Sequence, residues 1–316
     1  MSATGDGTVR AMSMKIGVQL PEVEYEIAFP DLVAMARLAE QVGFDSIWLG
    51  DHLLYDLPVG SRVESRGPWE VWTSLAALAA STERIELGPL VASTSFHAPA
   101  MLAKMAATVD AISGGRLVLG LGAGWNRREY DAYGFPYDHR VSRFEEAFTI
   151  VRTLLADGEI DFHGTYYDVD RAVLHPRSPR PGGPPIWVGS IRERMQAITL
   201  PHVQGWNVWW SDYGNTPDGF AALKATVDAR LDAIGRAGQV DATCAVYVQL
   251  PGGAGRTMGE YPVGDVRPIE GPADEIADQL RMFADAGAAH VQLVVDPIVP
   301  ASIELLGPVL EAVGAQ

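Results

Sequence analysis

The chain has 316 residues, of which 47% are hydrophobic, enough to bury the core of one large domain or of two ordinary ones. Acidic residues outnumber basic residues by 40 to 24, and the net charge of −16 argues against nucleic acid or an anionic membrane surface as a partner. No apolar run approaches the roughly 20 residues that a membrane-spanning helix needs.

The first thirteen residues contain one Arg and no apolar stretch, which is not the pattern of a signal peptide. We therefore expect residues 1–13 to form a flexible tail before a single domain at 14–316. Cys244 is the only cysteine, so no internal disulfide can form, and a reducing cytoplasmic compartment is expected. The histidines outside the strand ends lack the spacing of metal ligands, so we predict no metal site.

Short apolar runs alternate with segments of helical spacing along the chain. The runs predict strands that are buried on both faces, and they fall at 15–20, 45–50, 84–93, 116–122, 185–189, 205–209, 242–250 and 289–295. Helices are predicted from Pro99 to Gly114, at 144–155 and 220–234, after Pro272, and at 303–313. Eight strands alternating with helices predict an α/β fold, a (β/α)8 TIM barrel, with an open doubly wound sheet as the alternative.

Two stretches interrupt this alternation. Residues 158–170 predict a small hairpin, and residues 251–271 form a long polar insertion after the seventh strand.

The carboxyl ends of the strands are where a barrel enzyme keeps its active site. His52, after the second strand, is the only histidine there that follows a carboxylate, Asp51. A histidine can exchange protons near neutral pH, so His52 is a candidate proton carrier. The structural alternative is a histidine that only caps or packs at the strand end.

Small residues and an arginine mark two further strand ends. Gly122-Ala123-Gly124 has two of the glycines of a dinucleotide-binding loop but lacks the third, and it can equally serve to let a flat ring approach. Gly189-Ser190 followed by Arg192 fits a phosphate site, or alternatively an ordinary tight turn. Five tryptophans near these loops can wall a flat cofactor or an apolar substrate: Trp69, Trp72, Trp125, Trp209 and Trp210. The first two can equally belong to the core.

Three segments carry a family resemblance. They are LVASTSFHAPAMLAKMAATVDAISGGRLVLGLGAGWNRREYDAYG (90–134), PIWVG with a later GWN, and GFDSIWLGDHLL (43–54). From about Met14 onward the chain resembles the luciferase-like monooxygenase superfamily, and the first segment is similar to the branch that uses the deazaflavin coenzyme F-420. The resemblance implies an oxidoreductase that is often a homodimer and acts on a small molecule.

The resemblance also implies roles for particular residues. Asp51 and His52 would form the catalytic pair beside the reactive centre of the cofactor ring. Ser93-Thr94 falls where such proteins often have a cis peptide bond that supports the ring. The implied cofactor-binding residues are Ser93, Thr94, Gly122, Ala123, Gly124, Trp125, Tyr130, Gly189, Ser190 and Ile191.

One departure from the family pattern bears on the substrate. The sugar-phosphate dehydrogenases of this group have a Glu as proton donor where this chain has Trp125, which argues against a sugar phosphate and favours a less polar substrate. We therefore predict hydride transfer between coenzyme F-420 and an apolar or aromatic small molecule. The alternatives are a monooxygenase that uses reduced FMN and oxygen, and a non-catalytic flavin-binding protein.

Overall fold

A computed structural model describes residues 14–59, 61–256 and 266–314, so the predicted tail at 1–13 lies outside the described residues. The strands are β1 (Lys15–Gln19), β2 (Ser46–Leu49), β3 (Tyr55–Val59), β4 (Arg62–Arg66), β5 (Glu86–Pro89), β6 (Ala92–Ser93), β7 (Leu119–Gly122), β8 (Glu159–His163), β9 (Asp168–Val173), β10 (Ile186–Gly189), β11 (Gly205–Val208), β12 (Asp241–Gln249) and β13 (His290–Asp296). The helices are α1 (Phe29–Val42), α2 (Val71–Ser81), α3 (Pro99–Ser113), α4 (Arg127–Tyr133), α5 (Arg140–Asp157), α6 (Glu193–Thr199), α7 (Pro217–Ala233), α8 (Ala273–Asp285), α9 (Pro300–Leu305) and α10 (Gly307–Gly314).

The parallel strands form a barrel in the order β5-β2-β1-β13-β12-β11-β10-β7-β6. Since β5 and β6 are successive parts of one predicted strand, the nine strands occupy eight positions. A parallel bridge between Leu87 of β5 and Leu117 joins this divided strand to the segment that leads into β7. The second part of the strand, β6, pairs directly with β7. The ring is therefore closed, which confirms the predicted (β/α)8 barrel and rules out the open doubly wound sheet.

The third predicted strand, at 84–93, is interrupted between β5 and β6. The peptide bond between Leu90 and Val91 is cis, whereas no cis bond occurs at Ser93-Thr94. The cis bond expected at Ser93-Thr94 was thus misplaced by three residues. Sequence matching locates the segment but not the single bond, because neither residue type at 90–91 marks a cis peptide as proline does.

The predicted helices begin and end close to their sequence signals. Pro99 occupies the first turn of α3, and α5 ends at Asp157, directly before Gly158. The single helix predicted at 303–313 was wrong, because α9 ends at Leu305 and α10 starts at Gly307. The apolar spacing continues across this break, so periodicity alone could not reveal it.

Two antiparallel hairpins are added to the barrel. β8 and β9 form the hairpin predicted at 158–170, while β3 and β4 form one that was not predicted. The strand β4 is exposed along most of its length, so it lacks the apolar alternation that would have marked it. Of the predicted polar insertion at 251–271, residues 257–265 lie outside the described residues.

Aromatic side chains fill the floor of the barrel, at the amino ends of the strands. Trp48 and Trp187 stack with ring centroids 5.1 Å apart, and the ring of His290 lies edge-on to Trp187. The Ser46 hydroxyl is 2.7 Å from His290 Nε2 and accepts a hydrogen bond from Trp48 Nε1. Burial, followed by the charge of Lys15, lowers the pKa of His290 to about 3.

Candidate active site

A cavity of about 500 Å³ opens at the carboxyl ends of the strands, where a barrel fold places its active site. Its wall contains most of the residues predicted from the sequence: Asp51, His52, Ser93, Gly122, Ala123, Gly124, Trp125, Gly189 and Ser190. Residues that were predicted separately on four strand ends therefore meet around one space.

Three predicted residues lie behind this wall rather than in it. The Tyr130 hydroxyl donates to the carbonyl oxygen of Ala123 at 3.0 Å, and the Thr94 hydroxyl donates to that of Gly122 at 3.3 Å. Both side chains are buried, while Ile191 is half-buried and packs against the main core. Tyr130 and Thr94 thus hold the loop at Gly122–Gly124 in place from the rear.

Asp51 joins the ends of two neighbouring strands. Its Oδ2 atom accepts hydrogen bonds from the backbone N–H of Ser93 at 2.8 Å and from His97 Nε2 at 3.0 Å. The carboxylate is buried, so these two donors compensate for its lost hydration. Asp51 therefore positions the loops that follow β2 and β6, and its histidine partner is His97 rather than the adjacent His52.

His52 contacts a carboxylate that is distant in the sequence. Its Nδ1 atom lies 3.1 Å from both carboxylate oxygens of Glu129, and Glu129 also accepts from the backbone N–H of Leu53 at 2.6 Å. An ionised carboxylate can only accept, so Nδ1 carries a proton and Nε2 is the nitrogen that gains or loses one. This arrangement fixes the ring and its tautomer.

The charge balance around His52 favours its protonated form. Burial opposes the charge, but the hydrogen bond and charge of Glu129, together with the charges of Glu22 and Asp51, raise the pKa of His52 above its ordinary value. A histidine tuned in this way can donate a proton to a bound molecule at neutral pH.

Glu22 is a site residue that the sequence analysis missed. It follows β1, lines the cavity and is 6% exposed, and it accepts a hydrogen bond from Gln19 Nε2. Burial raises the pKa of Glu22, an effect that the charges of His52 and Arg256 oppose. The signal that could have found it is its place shortly after the first strand, at a strand end where no site residue was predicted.

The loop at Gly122–Gly124 brings backbone close to the cavity. Gly124 has a φ of +73°, and a Cβ atom there would lie 2.0 Å from the Tyr130 hydroxyl oxygen. A Cβ at Gly122 would lie 2.7 Å from Cγ2 of Val91, next to the cis bond. Only glycine fits at position 124, because a side chain there would collide with Tyr130.

Two arginines add positive charge to the cavity of this acidic protein. Arg140 begins α5, and Arg192 precedes α6, two residues after Ser190. The Ser190 hydroxyl accepts a hydrogen bond from the Arg192 backbone N–H at 3.1 Å. The predicted anion site at Gly189-Ser190 therefore has two guanidinium groups in the same cavity.

The five predicted tryptophans divide between three environments. Trp125 and Trp209 line the cavity, and the ring centroid of Trp125 is 5.7 Å from that of His52. Trp210 and Trp72 are buried, while Trp69 lies at a second, smaller cavity. Two of the five therefore line the cavity, and Trp125 lies beside the histidine.

Among residues 14–59, 61–256 and 266–314, no cluster of three or more His, Cys, Asp or Glu side chains could hold a metal ion. Within the same ranges, no helix combines the length and low polarity needed to cross a bilayer.

Comparison with known proteins identifies the family. Residues 11–251 match the family model described as luciferase-like monooxygenase. The chain belongs to the luciferase-like monooxygenase family. This is the family that the sequence motifs predicted.

Several members of this family are similar to the chain over part of their length. An F-420-dependent glucose-6-phosphate dehydrogenase from Beutenbergia cavernae is 36% identical over 151 residues, which cover 46% of this chain and 43% of the relative. A 5,10-methylenetetrahydromethanopterin reductase from Archaeoglobus fulgidus is 29% identical over 224 residues, covering 71% and 60%. The chain thus spans only about half the length of the curated relatives that it matches.

The fold is shared with solved structures over nearly the whole chain. An F-420-dependent secondary alcohol dehydrogenase, solved in complex with an F-420–acetone adduct, has a TM-score of 0.77 and 18% sequence identity, with 96% of this chain and 99% of the other covered. At this identity the likeness establishes the barrel fold of the luciferase-like family.

Proposed function

We propose that this luciferase-like enzyme transfers hydride between coenzyme F-420 and a small, predominantly apolar organic substrate. The observation that carries the proposal is the His52–Glu129 pair, which faces the same cavity as the backbone wall at Gly122–Gly124. The similarity to two relatives named for F-420 or methanopterin chemistry supports the cofactor class.

The cavity residues fit a flat, anionic cofactor. Gly122 and Gly124 line the cavity without side chains of their own, and Val91 lines it next to Gly122. Arg140 and Arg192 provide guanidinium groups that pair well with phosphate oxygens. We assign the phosphate to Gly189-Ser190 and Arg192. When bound there, the cofactor supplies a hydride donor or acceptor.

The chain's own residues then orient the substrate and move its proton. Glu129 fixes the orientation of His52, and the Nε2 atom of His52 exchanges a proton with the substrate atom that gains or loses charge. Trp125 excludes water from the space beside the histidine, and Trp125 and Trp209 provide apolar surface for the substrate. Asp51 keeps two loop ends together and does not itself exchange the proton.

The alternative on the same fold is a monooxygenase that uses reduced FMN and oxygen, and the matching family model is described as luciferase-like monooxygenase. We expect the apo-protein to bind F-420 at least tenfold more tightly than FMN, which corresponds to about 1.4 kcal/mol. Parallel fluorescence titrations with the two cofactors measure this ratio. Equal or reversed affinities would contradict the deazaflavin assignment.

The phosphate assignment has its own test. We expect Arg192→Ala to weaken F-420 binding about tenfold, because a charge-assisted hydrogen bond is typically worth about 1.5–3 kcal/mol and solvent replaces part of it. The matched control is Arg194→Ala, since Arg194 lies two residues away but pairs with Ser142 and Glu145 outside the cavity. Equal affinities for the two variants would place the phosphate elsewhere.

A further inference from the structure

A second cavity of about 230 Å³ lies beside the active site, between the ends of β1 and β2 and the helices α1 and α2. Its inner wall includes the buried side chains of Ile27, Leu32 and Leu49, and Trp69 lies at its rim with half of its surface exposed. Cavities that hold drug-sized ligands measure about 300–1,000 Å³, so this space suits a single small ring.

One stretch of chain separates the two cavities. Leu49 and Gly50 line the smaller cavity, whereas the next two residues, Asp51 and His52, line the larger one. Glu22 lines both cavities, and a Cβ atom at Gly50 would lie 2.1 Å from its Oε1 atom. The Glu22 carboxyl group therefore lies against the bare backbone of Gly50, at the boundary between the two spaces.

A buried polar atom in the smaller cavity lacks a partner. Ser74 is 1% exposed and lines the cavity, and its hydroxyl oxygen makes no hydrogen bond. Two other polar groups of the wall are already engaged: the Tyr25 hydroxyl donates to the Ile298 carbonyl at 3.0 Å, and Trp69 Nε1 donates to the Ile27 carbonyl at 3.0 Å. A buried hydroxyl without a partner carries a free-energy cost that a bound polar atom would remove.

We propose that the smaller cavity is a substrate subsite that binds the ring of a small, uncharged cyclic ketone or alcohol. The ring lies among Ile27, Leu32 and Leu49, and its oxygen accepts a hydrogen bond from the Ser74 hydroxyl. The oxygen-bearing carbon faces Glu22, which lines both cavities. Glu22 can donate a hydrogen bond to that oxygen when its carboxyl group is protonated.

This subsite rests on the proposed function for its role in the reaction, but its occupancy is tested separately. The probe is cyclohexanone, whose binding is followed by saturation-transfer NMR without cofactor. We expect saturable binding to the unmodified protein in the millimolar range. Ser74→Leu fills the cavity and is expected to weaken binding at least tenfold, with no fall in melting temperature because the hydroxyl it removes has no partner.

The matched control is Ala80→Leu, which adds the same side chain on the exposed face of α2 and should leave cyclohexanone binding unchanged. Should Ser74→Leu fail to fold, Ser74→Thr adds a single methyl group and is expected to weaken binding at least threefold. F-420 affinity, titrated separately, should stay the same in these variants, since the larger cavity is unaltered.

Absence of saturable cyclohexanone binding, or equal binding to the unmodified protein and a folded Ser74→Leu variant, would overturn the subsite. Failure of F-420 to bind while cyclohexanone binding responds to Ser74 would instead reject the proposed cofactor and leave the subsite standing. The two proposals therefore fail on different measurements.

Discussion

Replacing His52 with Ala is expected to lower turnover by roughly 10²–10⁴, the usual contribution of a positioned acid–base group. F-420 affinity should change far less, because the Gly122–Gly124 wall and Arg192 lie on other elements. Single-turnover hydride transfer and a cofactor titration on the same variant separate these two effects. The matched control is His163→Ala, since His163 lies on the exposed β8–β9 hairpin and pairs with Asp168.

Near-normal hydride transfer by folded, cofactor-loaded His52→Ala protein would reject the catalytic role of His52. The proton carrier would then have to be Asp51, Glu129 or a bound water. A fall in melting temperature with unchanged activity per folded molecule would instead identify His52 as a structural residue at the strand end.

Replacing Glu129 is expected to affect both stability and the pH profile. Glu129→Ala leaves the Leu53 N–H and the His52 ring without their acceptor, and the loss of one partner from a buried pair typically costs about 3–5 kcal/mol. Glu129→Gln keeps an acceptor oxygen but removes the charge, so it should lower the pKa of His52 with a smaller loss of stability. Activity that needs protonated His52 should then be lost at lower pH than in the unmodified protein.

The loss of stability in Glu129→Gln should depend on pH, and its direction follows from the pKa of His52. The folded pKa of His52 lies above the unfolded value of about 6.5, so its contribution to stability is complete below pH 6.5 and disappears as pH rises through the folded pKa. The stability difference between the unmodified protein and Glu129→Gln should therefore be larger at pH 5.5 than at pH 9. Urea unfolding at both pH values measures it, and a difference that does not vary with pH would contradict the His52–Glu129 linkage.

Much of the barrel could be predicted because its strands are buried on both faces and its helices have clear stops. Runs such as 15–20 and 289–295 are apolar on nearly every residue, and their order alone implies parallel pairing. The β3–β4 hairpin escaped prediction because β4 is mostly exposed and its sequence has no apolar face. The division between α9 and α10 escaped because the apolar spacing continues through it.

The candidate site could be predicted in position but not in its pairings. The rule that strand ends carry the chemistry was enough to group Asp51, His52 and Gly122–Gly124. The pairing of His52 with Glu129 joins residues 77 positions apart, and no local pattern specifies it. The sequence placed Asp51 next to His52, yet successive side chains point in different directions, and Asp51 contacts His97 instead.

The buried His290 at the floor of the barrel makes the protein sensitive to acid in a way that opposes His52. Folded His290 stays uncharged down to about pH 3, whereas an unfolded chain takes up that proton below about pH 6.5. Between these two pH values, His290 lowers the free energy of unfolding by up to about 1.4 kcal/mol for each unit by which the pH falls. Above pH 6.5, in contrast, a rise in pH reduces the stability that His52 contributes. The combined contribution of these two histidines to stability is therefore greatest near neutral pH.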